Sequence, residues 1–96
     1  MEIKLDQKRS SLGAFYIDDD GTRLGEMDFL INDGVMNIYH TEVNPSIGSH
    51  NWGFKLVETG VKFARENRLK ILPTCTFAKS VFNRTEAFQD VLVKEE

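Results

Sequence analysis

The sequence predicts an α/β (α+β) fold. An antiparallel meander leads into a strand, a loop, a helix and a parallel strand, and short helices close the chain. Three observations predict it. Alternating apolar residues and two Asp-Gly turns fill the first half. After His50 the apolar residues recur at helical spacing. A further strand follows that helix directly, and a strand–helix–strand unit of this length implies a parallel crossover. The 96 residues are expected to form one domain, 1–96, with a core of modest size.

Ile3 and Leu5 alternate with charged residues and predict a short first strand. Asp6 to Ser11 is polar and reads as a loop. Gly13 to Ile17 is aromatic and β-branched, hence a strand. Asp18-Asp19-Asp20-Gly21 reads as a solvated hairpin tip rather than a metal site, because no second ligand cluster is near in sequence. Thr22 to Ile31 alternates, with Met27, Phe29 and Ile31 on one face. Asn32-Asp33-Gly34 is a second hairpin turn.

Val35 to Val43 is the next strand. Strict alternation puts Met36, Ile38 and His40 on one face, and Val35, Tyr39, Thr41 and Val43 on the other. A helix is expected from Asn51 to Asn67, with apolar residues at helical spacing at Trp52, Leu56, Val57, Val61, Phe63 and Ala64. Lys70 to Cys75 reads as a strand, with Pro73 near its end or on an edge. Thr76 to Asn83 reads as a short helix, and Thr85 to Val93 as a last turn or helix carrying Phe88, Val91 and Leu92 inward.

Composition narrows the function classes. The net charge is −3, and Lys and Arg are dispersed apart from Lys8-Arg9. No basic stripe is present to neutralise nucleic-acid phosphates, which argues against that partner. One cysteine, Cys75, allows no internal disulfide and fits a reducing compartment. The N-terminal residues carry no apolar run, and no segment approaches the roughly 20 apolar residues of a membrane span. The expectation is a cytoplasmic protein with no membrane partner.

The segment Asn44-Pro45-Ser46-Ile47-Gly48-Ser49-His50-Asn51-Trp52-Gly53-Phe54 joins a strand to a helix start through two glycines. Unbonded amides and the positive end of a helix dipole suit a phosphate there. Around it stand His40-Thr41-Glu42-Val43-x-Pro45, Lys55-Leu56-Val57 and Ala64-Arg65-Glu66. Leu69-Lys70-Ile71-x-Pro73-x-Cys75-x-Phe77 and Phe88-Gln89-Asp90-Val91-Leu92 follow. As a set, in register from residue 37 to 92, these resemble the GNAT (N-acetyltransferase) superfamily, and more narrowly its small single-domain members.

The resemblance implies a GNAT-like fold that binds acetyl coenzyme A as co-substrate and moves its acetyl group to an amine. In that superfamily a loop of pattern Gln/Arg-x-x-Gly-x-Gly/Ala wraps the diphosphate. The corresponding positions here are Gly48, Asn51 and Gly53, of which only the last matches. Asn51 stands where a glycine of left-handed or tight conformation is usual, and Asn tolerates that geometry best among other residues. Trp52 is bulkier than the usual aliphatic residue. The implied contacts to the diphosphate are the amides of Ser49, His50, Asn51, Trp52, Gly53 and Phe54. The pantetheine arm is expected between the splayed ends of the two parallel strands, against Thr41, Glu42 and Val43. The thioester would point toward Cys75, with backbone donors polarising its carbonyl.

Each side chain also has a plainer reading. Cys75 precedes a predicted helix, where the dipole favours a thiolate nucleophile, or it is a small buried hydrophobe. His40 is a general base for the amine or a packed histidine. Glu42 is a base, an orienting partner for His40, or a solvated strand end. His50 is a phosphate contact or an exposed loop residue. Thr76 and Phe77 open the short helix beside the cofactor, where Phe77 is either stacking or core. Lys79 reaches phosphates or faces water. A zinc site from His40, His50 and Cys75 matches no common spacing, so no metal is expected. The acceptor side is expected to be open, because Asp6 to Leu12 is too short for two helices. That suits a peptide or protein amine as much as a small molecule. Two alternatives stay open: a non-catalytic acyl coenzyme A binder, and a structural protein with the GNAT fold.

Overall fold

The structure is a computed structural model. It describes residues 1–94, and at positions 49 and 50 the backbone alone. Strands β1 (Glu2–Arg9), β2 (Leu12–Asp19), β3 (Thr22–Asn32) and β4 (Val35–Val43) form an antiparallel meander. A 3₁₀ turn (Pro45–Ile47) leads to helix α1 (Ser49–Glu66), then strand β5 (Lys70–Pro73), helix α2 (Thr76–Arg84) and a 3₁₀ segment (Glu86–Val91). The sheet order is β1-β2-β3-β4-β5, and β5 pairs parallel to β4.

The hairpins follow from turn chemistry. Asp20 and Gly21, and again Asp33 and Gly34, all have positive φ, from 48° to 91°. Two left-handed central residues twist a tight turn to match its strands. At the first hairpin, Ser10 and Ser11 alone join β1 to β2. The expected loop from Asp6 is therefore strand as far as Arg9, because Asp6 and Gln7 pair with Ala14 and Gly13. Their polar side chains disguise a ladder made by backbone groups.

All the helices pack on one face of the sheet. Ile17, Met27, Phe29, Met36, Ile38 and Ile71 are fully buried there, under Leu56, Val57, Val61 and Ala64 of α1. Each large side chain buried this way contributes roughly 1.5–3 kcal/mol. Rings of Phe15, Phe29 and Phe63 meet at 5.4 to 5.8 Å. Asn67 closes α1 by donating its side-chain amide to the Phe63 carbonyl at 2.8 Å. Arg65 clamps the last segment to α1 through both carboxylate oxygens of Asp90. Val93 N–H donates to the Ile71 carbonyl at 2.9 Å, so the tail continues beside β5.

β4 departs from simple alternation. Ile38 pairs with Phe29, yet His40 pairs with Asp28, so Tyr39 is an extra residue. Such a bulge shifts every later side chain to the opposite face. His40 therefore does not share a face with Met36 and Ile38. It lies with Glu42 on the sheet face that carries no helix, and Thr41 turns toward the helices.

Candidate functional site

Pairing between β4 and β5 stops at Ile38 and Pro73, while β4 runs on to Val43 paired only with β3. The Ile38 carbonyl accepts from both Thr74 N–H (2.9 Å) and Cys75 N–H (3.2 Å). That double bond ends β5 at Pro73, two residues before its expected end at Cys75, and turns the chain into α2. A gap opens between the free edge of Thr41–Val43 and the start of α2.

Cys75 sits at the head of this gap as the N-cap of α2. Its sulfur accepts from Ala78 N–H at 3.4 Å and lies 3.3 Å from Thr41 Oγ1. The first contact caps the helix from within, and the second exists because the bulge carries Thr41 inward. Lys79 N–H is already bonded to the Cys75 carbonyl, whereas Thr76 and Phe77 amides have no partner within the helix.

Helix α1 starts at Ser49, earlier than the expected Asn51, and Gly48 precedes it with φ 73°. The left-handed residue is thus Gly48, and Asn51 is helical. Gly48 supplies no capping side chain at this helix start, and the first turn holds no acidic residue. The amides of residues 49, 50 and 51 have no helical acceptor, whereas those of Trp52, Gly53 and Phe54 are bonded within the helix. The side chains of Ser49 and His50 lie outside the described residues. Lys55 Nζ stands 4.4 Å over the Trp52 ring. Phe54 stacks on Phe88 at 5.5 Å, toward the core.

Phe77 joins the two helix starts. A Cβ on Gly53 would fall 2.5 Å from the Phe77 ring, so only glycine permits this approach. Lys79 faces elsewhere. With Leu72, Pro73, Thr74 and Asn83 it lines a cleft of about 410 Å³ at the outer edge of β5.

The structure therefore brings Thr41, Cys75, Phe77 and Gly53 together and sets His40 and Glu42 across the strand from them. His40 Nε2 is 3.9 Å from Glu42 Oε1, and both are exposed. Two residues beside them escaped the sequence reading. Glu26 pairs across from Glu42, and Asp28 from His40. Partial burial, then the hydrogen bond and charge of Glu26, push the Asp28 carboxyl up to about 6. The signal was available in β3, where Glu26 and Asp28 alternate with Met27 and Phe29.

Among the described residues no three His, Cys, Asp or Glu side chains converge as a metal site requires. No described helix is long and apolar enough to cross a membrane.

A family model of GCN5-related N-acetyltransferases matches residues 14–91. The chain is also similar to a GCN5-like proposed N-acetyltransferase from Staphylococcus aureus whose structure was solved in solution by NMR. That likeness has a TM-score of 0.72 and 35% identity, and covers 97% of this chain and 90% of that one. No curated protein matches the sequence.

Proposed function

Because the chain belongs to the GCN5-related N-acetyltransferase family, we propose that it binds acetyl coenzyme A and transfers the acetyl group to an amine. The observation that carries this reading is the gap beyond Ile38, with the Cys75 sulfur at its head and the first amides of α1 and α2 beside it. The residues present fit the cofactor. Gly48 and the amides of residues 49–51 form an anion cradle with no acidic side chain in it. The free β4 edge offers Thr41 and Val43 backbone groups to amides of a pantetheine arm. Trp52, Gly53, Thr76 and Phe77 line the same region.

When bound, acetyl coenzyme A supplies an activated acetyl thioester. The Thr76 and Phe77 amides, which have no acceptor within α2, would donate to its carbonyl oxygen. Cys75 is placed to line this point or to accept the acetyl group as a thiolate. His40 and Glu42, on the other side of β4, are the bases to which an approaching ammonium would lose its proton. The protein works as one domain, 1–96, in the cytoplasm. The alternative is a non-catalytic acyl coenzyme A binder or a structural protein of the same fold.

Acetyl coenzyme A is expected to raise the melting temperature and shift the amides of residues 48–54. Absence of both at millimolar ligand sinks the enzyme and the binder alike. Turnover against a panel of amines separates the enzyme from the binder. An adduct of about 42 Da that disappears in Cys75→Ala marks transfer through the sulfur, whereas turnover without it marks direct transfer.

A further inference from the structure

Lys79 takes no part in the gap, and its own surroundings form a site that the acetyl-transfer reading leaves unused. The cleft of about 410 Å³ in which it stands has an apolar floor of Leu72, Pro73, Phe82, Leu92 and Val93. Pro73 and Phe82 are buried, while Lys79 and Asn83 are exposed on the α2 wall. A second cleft of about 360 Å³ shares Leu92 and Val93 and lies toward the start of β5, beside Val35, Lys70 and Lys94. Together the clefts make one apolar trough along the outer edge of β5, with Lys79 at one end and Lys70 and Lys94 at the other.

The charges of this trough differ from those of the rest of the chain. The chain carries a net charge of −3, yet no Asp or Glu among the described residues lines either cleft. Lys70 Nζ donates to the Asp90 carbonyl at 2.6 Å, and the Asp90 carboxylate is held by Arg65. Among the described residues none of Lys70, Lys79 and Lys94 has a carboxylate partner, whereas Lys4, Arg23 and Arg65 each have one. A lysine stem lies along apolar surface and leaves its ammonium at the rim. Backbone pairing is not what this edge offers. Val93 N–H is already bonded to the Ile71 carbonyl, and Pro73 has no N–H to give an added strand.

We propose that this trough binds an acidic, apolar segment of a partner protein, with apolar side chains in the two clefts and a carboxylate on Lys79. The proposal goes beyond the acetyl-transfer reading and does not depend on it. Charge complementarity selects an anionic occupant. The apolar floor selects against a free inorganic anion, which would leave that floor bare. Two clefts joined across Leu92 and Val93, with cations at both ends, select a chain over a single small carboxylate. Such a carboxylate fills one cleft and meets the cations of one end.

The test is an amide NMR titration of the whole protein with a blocked hexapeptide that alternates leucine and glutamate. Its controls are the same peptide with glutamine in place of glutamate, and octanoate. The acidic peptide is expected to shift Leu72, Thr74, Asn83, Val93 and Lys94. Its affinity should fall about tenfold in Lys79→Gln, and fall again with rising salt. Lys79 is exposed, and an unchanged melting temperature shows that the variant is folded. No shift at millimolar peptide, unchanged affinity in Lys79→Gln, or equal binding of the glutamine peptide overturns the proposal. Shifts centred on residues 48–54 place the peptide at the cofactor gap and overturn it as well. Octanoate binding as tightly as the acidic peptide overturns the choice of a protein segment. Acetyl coenzyme A added to the same sample is read at residues 48–54, so either reading can fail alone.

Discussion

The two halves of β4 share one strand and behave as different materials. Val35 to Ile38 is paired on both sides, and Met36 and Ile38 are fully buried. Beyond the extra residue Tyr39, His40 to Val43 is paired on one side, with Tyr39, His40 and Glu42 exposed. Burial makes the first half a fixed point of the fold. The missing neighbour makes the second half a set of unspent backbone groups, and the bulge between them decides which side chains face which chemistry. Stability and reactivity are thus segregated along nine residues rather than between domains.

The sharpest test of that contrast sets two adjacent residues side by side. Ile38→Ala should cost about 2–5 kcal/mol in urea unfolding, whereas Tyr39→Ala should stay within about 0.5 kcal/mol. Equal costs would erase the distinction between adjacent residues.

At the head of the gap, Cys75→Ala should lose about 1 kcal/mol as a helix cap, and Cys75→Ser should restore it. If Ser restores stability but not acetyl transfer, the sulfur has a chemical role beyond capping. The smallest effect concerns pH. A folded-state pKa of about 6 at Asp28 means the folded chain holds a proton that the unfolded chain has released. The Asp28 contribution to stability is therefore fully present below the ordinary carboxylate range and is lost as pH rises through about 6, by about 1 kcal/mol after solvent screening. Asp28→Asn should remove that component from urea midpoints between about pH 4 and 7, and an unchanged slope would show that the retained proton is not on Asp28.

Most of the fold was legible because its signals are local. Asp20-Gly21 and Asp33-Gly34 mark turns, and the spacing of Leu56, Val57, Val61 and Ala64 marks a helix face. The face of His40 was not legible, since an extra residue in a strand looks like any other residue until its partners are known. The start of α1 was missed because Ser49 and His50 carry no apolar signal, and Asn51 seemed to be the special backbone position that belongs to Gly48. At the candidate site, Cys75 and Gly53 could be read from their neighbours in sequence. Glu26 and Asp28 needed the register of β3 against β4.

The contact of Phe77 with Gly53 has a consequence for mechanics. Two helices begin within one aromatic ring of each other, and each start carries roughly half a positive charge. Like poles this near each other repel, so the packing of Phe77 on Gly53 holds together two helix starts that electrostatics alone would separate, and a larger side chain at position 53 would open the junction.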